Sequence, residues 1–182
     1  MKKTVVIYES KYGSTRRYAE WIAEALSCSF FEKAIFRPED FSNYDVIIYG
    51  GGLYAGGVSG IKLLTKNWKL LENRHVILFT CGIADPALPE NVANIRSSLS
   101  KTLSPEMMEH IHFFHLRGGI DYSKLGFIHK SMMAMLRKML LKKSNESLTE
   151  EEQQLLATYG TAIDFTDKES IQPIIQYILS LS

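Results

Sequence analysis

Between an apolar run ending at Tyr8 and an amphipathic run starting at Thr15, the sequence sets Ser10, Gly13, Ser14 and Thr15, with Arg16 and Arg17 directly behind. A strand that turns into a helix needs one glycine and one cap, and the hydroxyls here exceed that need. The first amides of a helix have no intrahelical partner and carry about half a positive charge. Such a turn can hold an anion, a phosphate above all, without metal or lysine. Hydroxyls at Ser10, Ser14 and Thr15 add donors, and Gly13 lets the backbone close around the anion. The plainer alternative is an ordinary capped turn of an α/β protein. Missing motifs narrow the chemistry. GxxxxGK[ST] does not occur, and GxGxxG does not follow this strand. A receiver domain would close its third strand with a phosphorylatable Asp; here that strand ends in glycine, and Asp45 stands at its opposite end. A cysteine phosphatase would carry its nucleophile in the loop, yet Cys28 and Cys81 lie elsewhere.

No other constellation competes. His110, His112 and His115 are expected in or near one strand, with 110 and 112 on one face and 115 on the other, so three ligands do not converge and no metal is expected. GxSxG is absent. Cys81 reads either as a small buried hydrophobe or as a redox thiol, and Cys28 as inert. Arg117, ahead of Gly118 and Gly119, could face a carboxylated substrate or pair with Asp121.

The elements that must position these residues alternate. "TVVIY" (4–8) has the continuous apolarity of a strand covered on both faces, and Tyr18, Ala19, Ile22, Ala23 and Leu26 recur at helical spacing. "FFEKAIF", "YDVIIYG", "HVILFTCG" and "HIHFFHLRGG" read as four further strands, with helices around 61–71 and 90–103 between them. The expectation is an α/β, doubly wound, five-stranded parallel sheet of order 2-1-3-4-5 in a single domain spanning 1–182. A helical insertion at about 122–160 precedes a last helix beginning near 166–170. Thr149 with Glu152 and Thr166 with Glu169 have the spacing of capping boxes, and Pro173 suits a first turn.

"SKYGST" resembles the phosphate-binding signature of the flavodoxins, Ser/Thr-x-Thr-Gly-Asn-Thr, matching at Ser10, Gly13 and Thr15 and departing at Tyr12 and Ser14. That resemblance implies FMN, with its phosphate on Ser10, Tyr12, Gly13, Ser14 and Thr15. It places the flavin ring between two loops at the carboxyl edge of the sheet. One comprises Gly51, Gly52, Leu53, Tyr54, Ala55 and Gly56; the other comprises Thr80, Cys81, Gly82 and Ile83. In the family a glycine-rich first loop lets a peptide flip so that a carbonyl meets the ring, and Gly51, Gly52 and Gly56 are the candidates here. Tyr54 is either an aromatic neighbour of the ring or a tyrosine packed on its own loop. "NYDVIIYGG", "FFHLRGGIDYSKLGF", the Met-rich basic helix and "TDKESIQPIIQYI" together resemble the flavodoxin-like protoporphyrinogen IX dehydrogenase type over most of the chain. The resemblance implies an FMN-dependent oxidoreductase acting with a quinone or porphyrinogen. The alternatives are a general NAD(P)H or quinone reductase, an electron carrier, and a cofactor-free binding domain on the same scaffold.

Bulk properties agree with a reduced, globular protein. The 182 residues are 46% hydrophobic and 23% charged, with 21 basic against 20 acidic residues, so no global field points to nucleic acid. The near-neutral charge also lacks the acidity of a shuttle flavodoxin. Two cysteines do not make a disulfide framework. The amino-terminal apolar run is too short for a signal peptide and no window approaches a membrane span, so a soluble, cytoplasmic protein is expected. The stretch 127–143 puts Phe127, Ile128, Met132, Met135, Leu136 and Met139 on one side, with Lys130, Arg137, Lys138 and Lys142 around the rest. It reads as a peripheral membrane or partner-binding helix at the inner face of the membrane, or as a helix packed on its own domain or on a homodimer mate.

Overall fold

The computed structural model describes residues 2–54 and 57–181. Strand β1 (Thr4–Glu9) leads through the hydroxyl-rich turn into helix α1 (Ser14–Leu26), followed by β2 (Ser29–Glu32) and a 3-10 turn over Pro38–Asn43. β3 (Val46–Tyr54) folds back on the short β4 (Gly57–Val58). Helices α2 (Lys62–Lys66) and α3 (Trp68–Leu71) precede β5 (His75–Gly82); α4 (Pro89–Leu99) and α5 (Pro105–His110) precede β6 (His112–Arg117). After β6 come β7 (Gly119–Asp121), α6 (Phe127–Leu140), α7 (Glu150–Ala157), β8 (Ala162–Asp164) and α8 (Gln172–Ser180).

The parallel strands lie in the order β2-β1-β3-β5-β6, which is the expected doubly wound arrangement, and β4 pairs antiparallel with β3 at one end. Alternation along β1 explains the two layers. Val5 and Ile7 face a core shared with α2, α3 and α5, whereas Val6 and Tyr8 face α1 and α8. Strands buried on both faces need apolar residues at every position, which is why β1, β3 and β5 read so plainly. Truncating a fully enclosed side chain such as Ile48 or Leu64 would cost about 2–5 kcal/mol.

Several expected boundaries shift. The second strand stops at Glu32 instead of reaching Phe36, because the chain turns there and sends Phe36 into a cluster with Phe31, Phe41 and Tyr44. The helix over 61–71 breaks at Asn67, whose amide side chain donates to the Leu63 carbonyl. The helix near 90–103 ends at Leu99, and a further helix, α5, starts where Ser104 Oγ accepts from Met107 N. His110 therefore ends a helix and lies outside the strand, while His112 stacks on Tyr177 and His115 lies against Thr80 on the other face. Thr149 and Glu152 form the expected capping box. The one at Thr166 does not form, since Asp167 caps the last 3-10 turn and Thr166 bonds Asp164 and Arg17 instead. α8 follows with Pro173 in its first turn.

Candidate functional site

β1, β3 and β5 all run in one direction, so their carboxyl ends deliver Ser10–Thr15, Leu53–Tyr54 and Cys81–Ile83 to one edge of the sheet. Gly13 sits at the N-cap of α1 with φ +101°, a backbone region that a glycine adopts without strain. The first helical hydrogen bond runs from Arg17 N to Gly13 O, and no side chain among the described residues caps the helix. The amides of Ser14, Thr15 and Arg16 are thereby left without helical acceptors. Ser10 Oγ accepts from Gly13 N at 3.1 Å and tightens the turn. Ser14 Oγ accepts from Gly119 N at 3.1 Å, which ties the helix start to β7. Thr15 is buried and lines the crevice beside Cys81.

The glycines of β3 make room for the protein's own side chains. The strand runs on through Gly50–Tyr54, where a loop was expected to begin. A Cβ at Gly51 would meet Val58 and the Ser59 carbonyl, and one at Gly52 would meet the Tyr54 ring at 2.7 Å. Ala55 and Gly56 lie outside the described residues. Behind this hairpin, Glu9 receives Lys33 Nζ at 2.6 Å and Ser59 Oγ at 3.0 Å, and Tyr49 Oη donates to the Ser59 carbonyl. These contacts fix the end of β1 against the β3–β4 turn.

Cys81 and Thr80 differ in what they offer. Burial pushes the Cys81 thiol up to about 12, so it stays protonated at neutral pH and is no ready nucleophile, although it lines the crevice. Thr80 is enclosed, with its hydroxyl 2.7 Å from His115 Nδ1 on the face away from that crevice. Burial, assisted by Arg96, holds His115 down at about 4 and hence neutral.

The segment after β6 closes the edge. Its own small core of Ile120, Tyr122 and Leu125 packs on Tyr12, Ile83, Met133, Tyr159 and Ile163. Tyr12 Oη accepts from Gly126 N at 3.2 Å and lies 2.6 Å from His129 Nδ1. His129 also stacks on Tyr54, with centroids 5.0 Å apart and planes 12° apart, and burial raises Tyr54 to about 12. The crevice among these groups has a first compartment of about 140 Å³, lined by Tyr12, Ser14, Thr15, Leu53, Tyr54, Cys81, Gly82, Ile83, His129 and Met133. Through Leu53, Gly82, Ile83, Ile120 and Met133 it continues into a second of about 380 Å³, beneath α6 and α7. Arg117 borders this second space. It pairs with Asp85 at 3.3 Å rather than with Asp121, donates to the Ile83 carbonyl, and stacks on Phe165.

Of the residues selected from the sequence, Tyr12, Ser14, Thr15, Leu53, Tyr54, Cys81, Gly82 and Ile83 line the crevice and Gly13 opens the turn beside it, while Ser10, Gly51, Gly52 and Thr80 lie behind its walls. The sequence did not reveal His129, Ile120, Met133 or the Glu9–Lys33–Ser59 network. The methionine and histidine periodicity of 127–140 was visible, but not which face would turn inward.

A phosphate-bearing flavin can be tested against these groups. The phosphate end fits the uncapped amides of Ser14, Thr15 and Arg16. The remainder needs both compartments, since the first is smaller than the ~300–1,000 Å³ of ordinary ligand clefts.

A family model described as a flavodoxin domain matches residues 5–147. Among solved structures, a flavoprotein in complex with FMN from Lactobacillus acidophilus is 18% identical, covering 64% of this chain and 93% of its own, with a TM-score of 0.44. A WrbA-like flavodoxin from Agrobacterium tumefaciens is 23% identical, covering 54% and 73%, with a TM-score of 0.38. A flavodoxin from the domain Archaea is 12% identical over 85% and 94%, with a TM-score of 0.39. A comparison with curated proteins finds no match. By the span of the family match, running from β1 through α6, the chain belongs to the flavodoxin domain family.

Proposed function

We propose that the carboxyl-edge crevice binds FMN and that the protein is an FMN-dependent oxidoreductase. The observation that carries this reading is the convergence of an uncapped helix start, opened by left-handed Gly13, with the ends of β3 and β5 on one crevice. Bound there, FMN would supply the electron or hydride chemistry. The protein's part is positional. Amides of Ser14, Thr15 and Arg16 and the hydroxyl of Ser14 would hold and orient the phosphate. Leu53, Tyr54, Gly82 and Ile83 offer apolar walls, and α6 limits the access of water. The finer reading is a protoporphyrinogen IX dehydrogenase-like activity with a quinone as acceptor. It is supported by the resemblance of the 43–51, 113–143 and 166–178 stretches and by an apolar second compartment beside the ring loops, with Arg117 at its border.

The stacking of His129 on Tyr54 favours a second reading, a cofactor-free binding domain, because the imidazole covers a face that a flavin could use. Purification separates the two. A yellow protein with flavin absorption bands, or an apoprotein that takes up added FMN, supports the first; a colourless one that refuses FMN sinks it. Anaerobic stopped-flow mixing of loaded protein with NADH, NADPH or a porphyrinogen then tests the donor. Reduction by either nicotinamide but not by the porphyrinogen would reject the finer reading in favour of a general reductase.

A further inference from the structure

Rings from the sheet and from the insertion meet inside the crevice, and their spacing decides what else can enter. Tyr54 ends β3, where the missing Cβ of Gly52 leaves room for its ring. His129, in the first turn of α6, stacks on that ring with centroids 5.0 Å apart and planes 12° apart. Both side chains line the same compartment. A third flat ring between two parallel ones needs two contacts of about 3.5–4.0 Å, or about 7–8 Å in all. The pair is too close for that. A flavin ring seated on this face of Tyr54 has to take the place of the imidazole. The first compartment, at about 140 Å³, has the size of a site already covered, against the ~300–1,000 Å³ of ordinary ligand clefts.

The contacts that hold the imidazole differ from those that hold the rest of the helix. His129 Nδ1 lies 2.6 Å from Tyr12 Oη, and the Tyr12 ring packs edge-on against both Tyr54 and His129. Within the first turn of α6, Phe127, Ile128 and Lys130 are exposed and His129 alone turns inward. The carboxyl end is pinned independently. Leu140 is buried, Lys143 pairs with Glu152 at 2.6 Å, and α7 is tied to the body through Glu151, which accepts from Asp85 N and Asn91 Nδ2. The imidazole can therefore leave Tyr54 without unpacking the helix. We infer that His129 is a built-in competitor for the ring site: the empty protein folds its own imidazole onto Tyr54, Tyr12 holds it there, and FMN binds the fraction of molecules in which it has left. This rests on the FMN reading of the crevice and adds the regulation of that site. The apparent affinity is the intrinsic one reduced by the open fraction, so whatever weakens the contacts of His129 strengthens flavin binding.

Fluorescence titration of the purified full chain, stripped of flavin, tests this with FMN and separately with riboflavin. His129→Ala removes a stacked ring pair and a hydrogen bond, each amounting to about 2- to 13-fold, and should tighten FMN binding at least ~5-fold. Riboflavin should gain by the same factor, because it carries the ring and lacks the phosphate. His129→Phe, which keeps a ring over Tyr54, should fall between the parent and His129→Ala. Alanine suits this half-buried helical position, and circular dichroism checks the fold. A second measurement needs no variant. Diethyl pyrocarbonate, mapped by peptide mass spectrometry, should modify His129 of the parent protein at least ~2-fold faster with FMN bound than without, since the imidazole has then left its partners. Equal or weaker FMN binding by His129→Ala, a gain for FMN that riboflavin does not share, or slower modification with FMN bound overturns the inference and leaves FMN as the ligand. Refusal of FMN by the parent and His129→Ala alike sinks the FMN reading, and this inference with it.

Discussion

Removing one oxygen, by Tyr12→Phe, should release the amino end of α6 while leaving the crevice walls in place. The three rings of Tyr12, Tyr54 and His129 meet within 5.0–5.8 Å by their faces and edges, contacts that phenylalanine keeps. Only the hydroxyl goes, and with it the bond from Gly126 N and the 2.6 Å contact with His129 Nδ1. Two hydrogen bonds contribute about 0.5–1.5 kcal/mol each after exchange with water, so local opening of the first turn of α6 should become ~1–3 kcal/mol easier, a factor of ~5–150. Native-state hydrogen exchange reads this directly. The Gly126 amide loses its acceptor, and the Lys130 amide, bonded to the Gly126 carbonyl at 2.9 Å, loses its anchored turn. Amides of β3 and β5 should lose no more than the same factor, because their protection reports global unfolding, which starts from the same destabilised native state. Protection at Gly126 and Lys130 within twofold of the parent protein would refute the claim that Tyr12 holds the insertion down.

Gly13→Ala isolates backbone strain, since a Cβ there meets nothing within 4 Å while φ is +101°. It should cost about 1–3 kcal/mol by urea denaturation and weaken FMN uptake in a fluorescence titration; unchanged uptake would count against the phosphate site. Gly60→Ala combines a φ of +69° with a Cβ placed 2.0 Å from Tyr49 Oη and 2.4 Å from Glu9 Oε2, so its denaturation midpoint should fall further than that of Gly13→Ala. For His115, burial lowers the folded pKa to about 4 against about 6.5 unfolded, so the unfolded chain binds the extra proton first on acidification. Its contribution to stability is complete above about pH 6.5, declines as pH falls to about 4, and declines no further below that; His115→Gln should flatten this part of the urea midpoint–pH profile. Cys81 should resist iodoacetamide at pH 8 until the protein is unfolded, as its buried thiol requires.

What could be read beforehand follows from how each contact is encoded. β1, β3 and β5 are enclosed on both faces and carry unbroken apolar runs, so their order and direction were legible. β2 lies at an edge and has one neighbour, which leaves "FFEKAIF" as apolar beyond Glu32 as before it, although Ile35 turns to solvent. β7 and β8 are three residues each, too short to show a period, and they pair across more than forty residues. The Tyr12–His129 contact spans 117 positions. Local patterns carry turns and faces; they carry no information about which distant residue will meet a phenol. Arg117 shows the same limit, since the nearer acid at Asp121 is taken by Lys124 and the arginine reaches Asp85.

Tyr12 was the largest departure from the flavodoxin phosphate signature, and its environment gives that departure a physical reason. A chain leaving the last parallel strand of such a sheet emerges at the carboxyl edge, beside the loops that follow β1, β3 and β5. An insertion there need only fold back to cover them, but α6 has no acid or hydroxyl cap of its own at Gly126, and its first amide needs an acceptor. A threonine at position 12 is too short to supply one across the crevice. The tyrosine reaches Gly126 N and His129 together, so the hydroxyl withdrawn from the turn serves the helix that roofs it. The donors that remain unpartnered at the turn are backbone amides, which no side-chain substitution at position 12 removes.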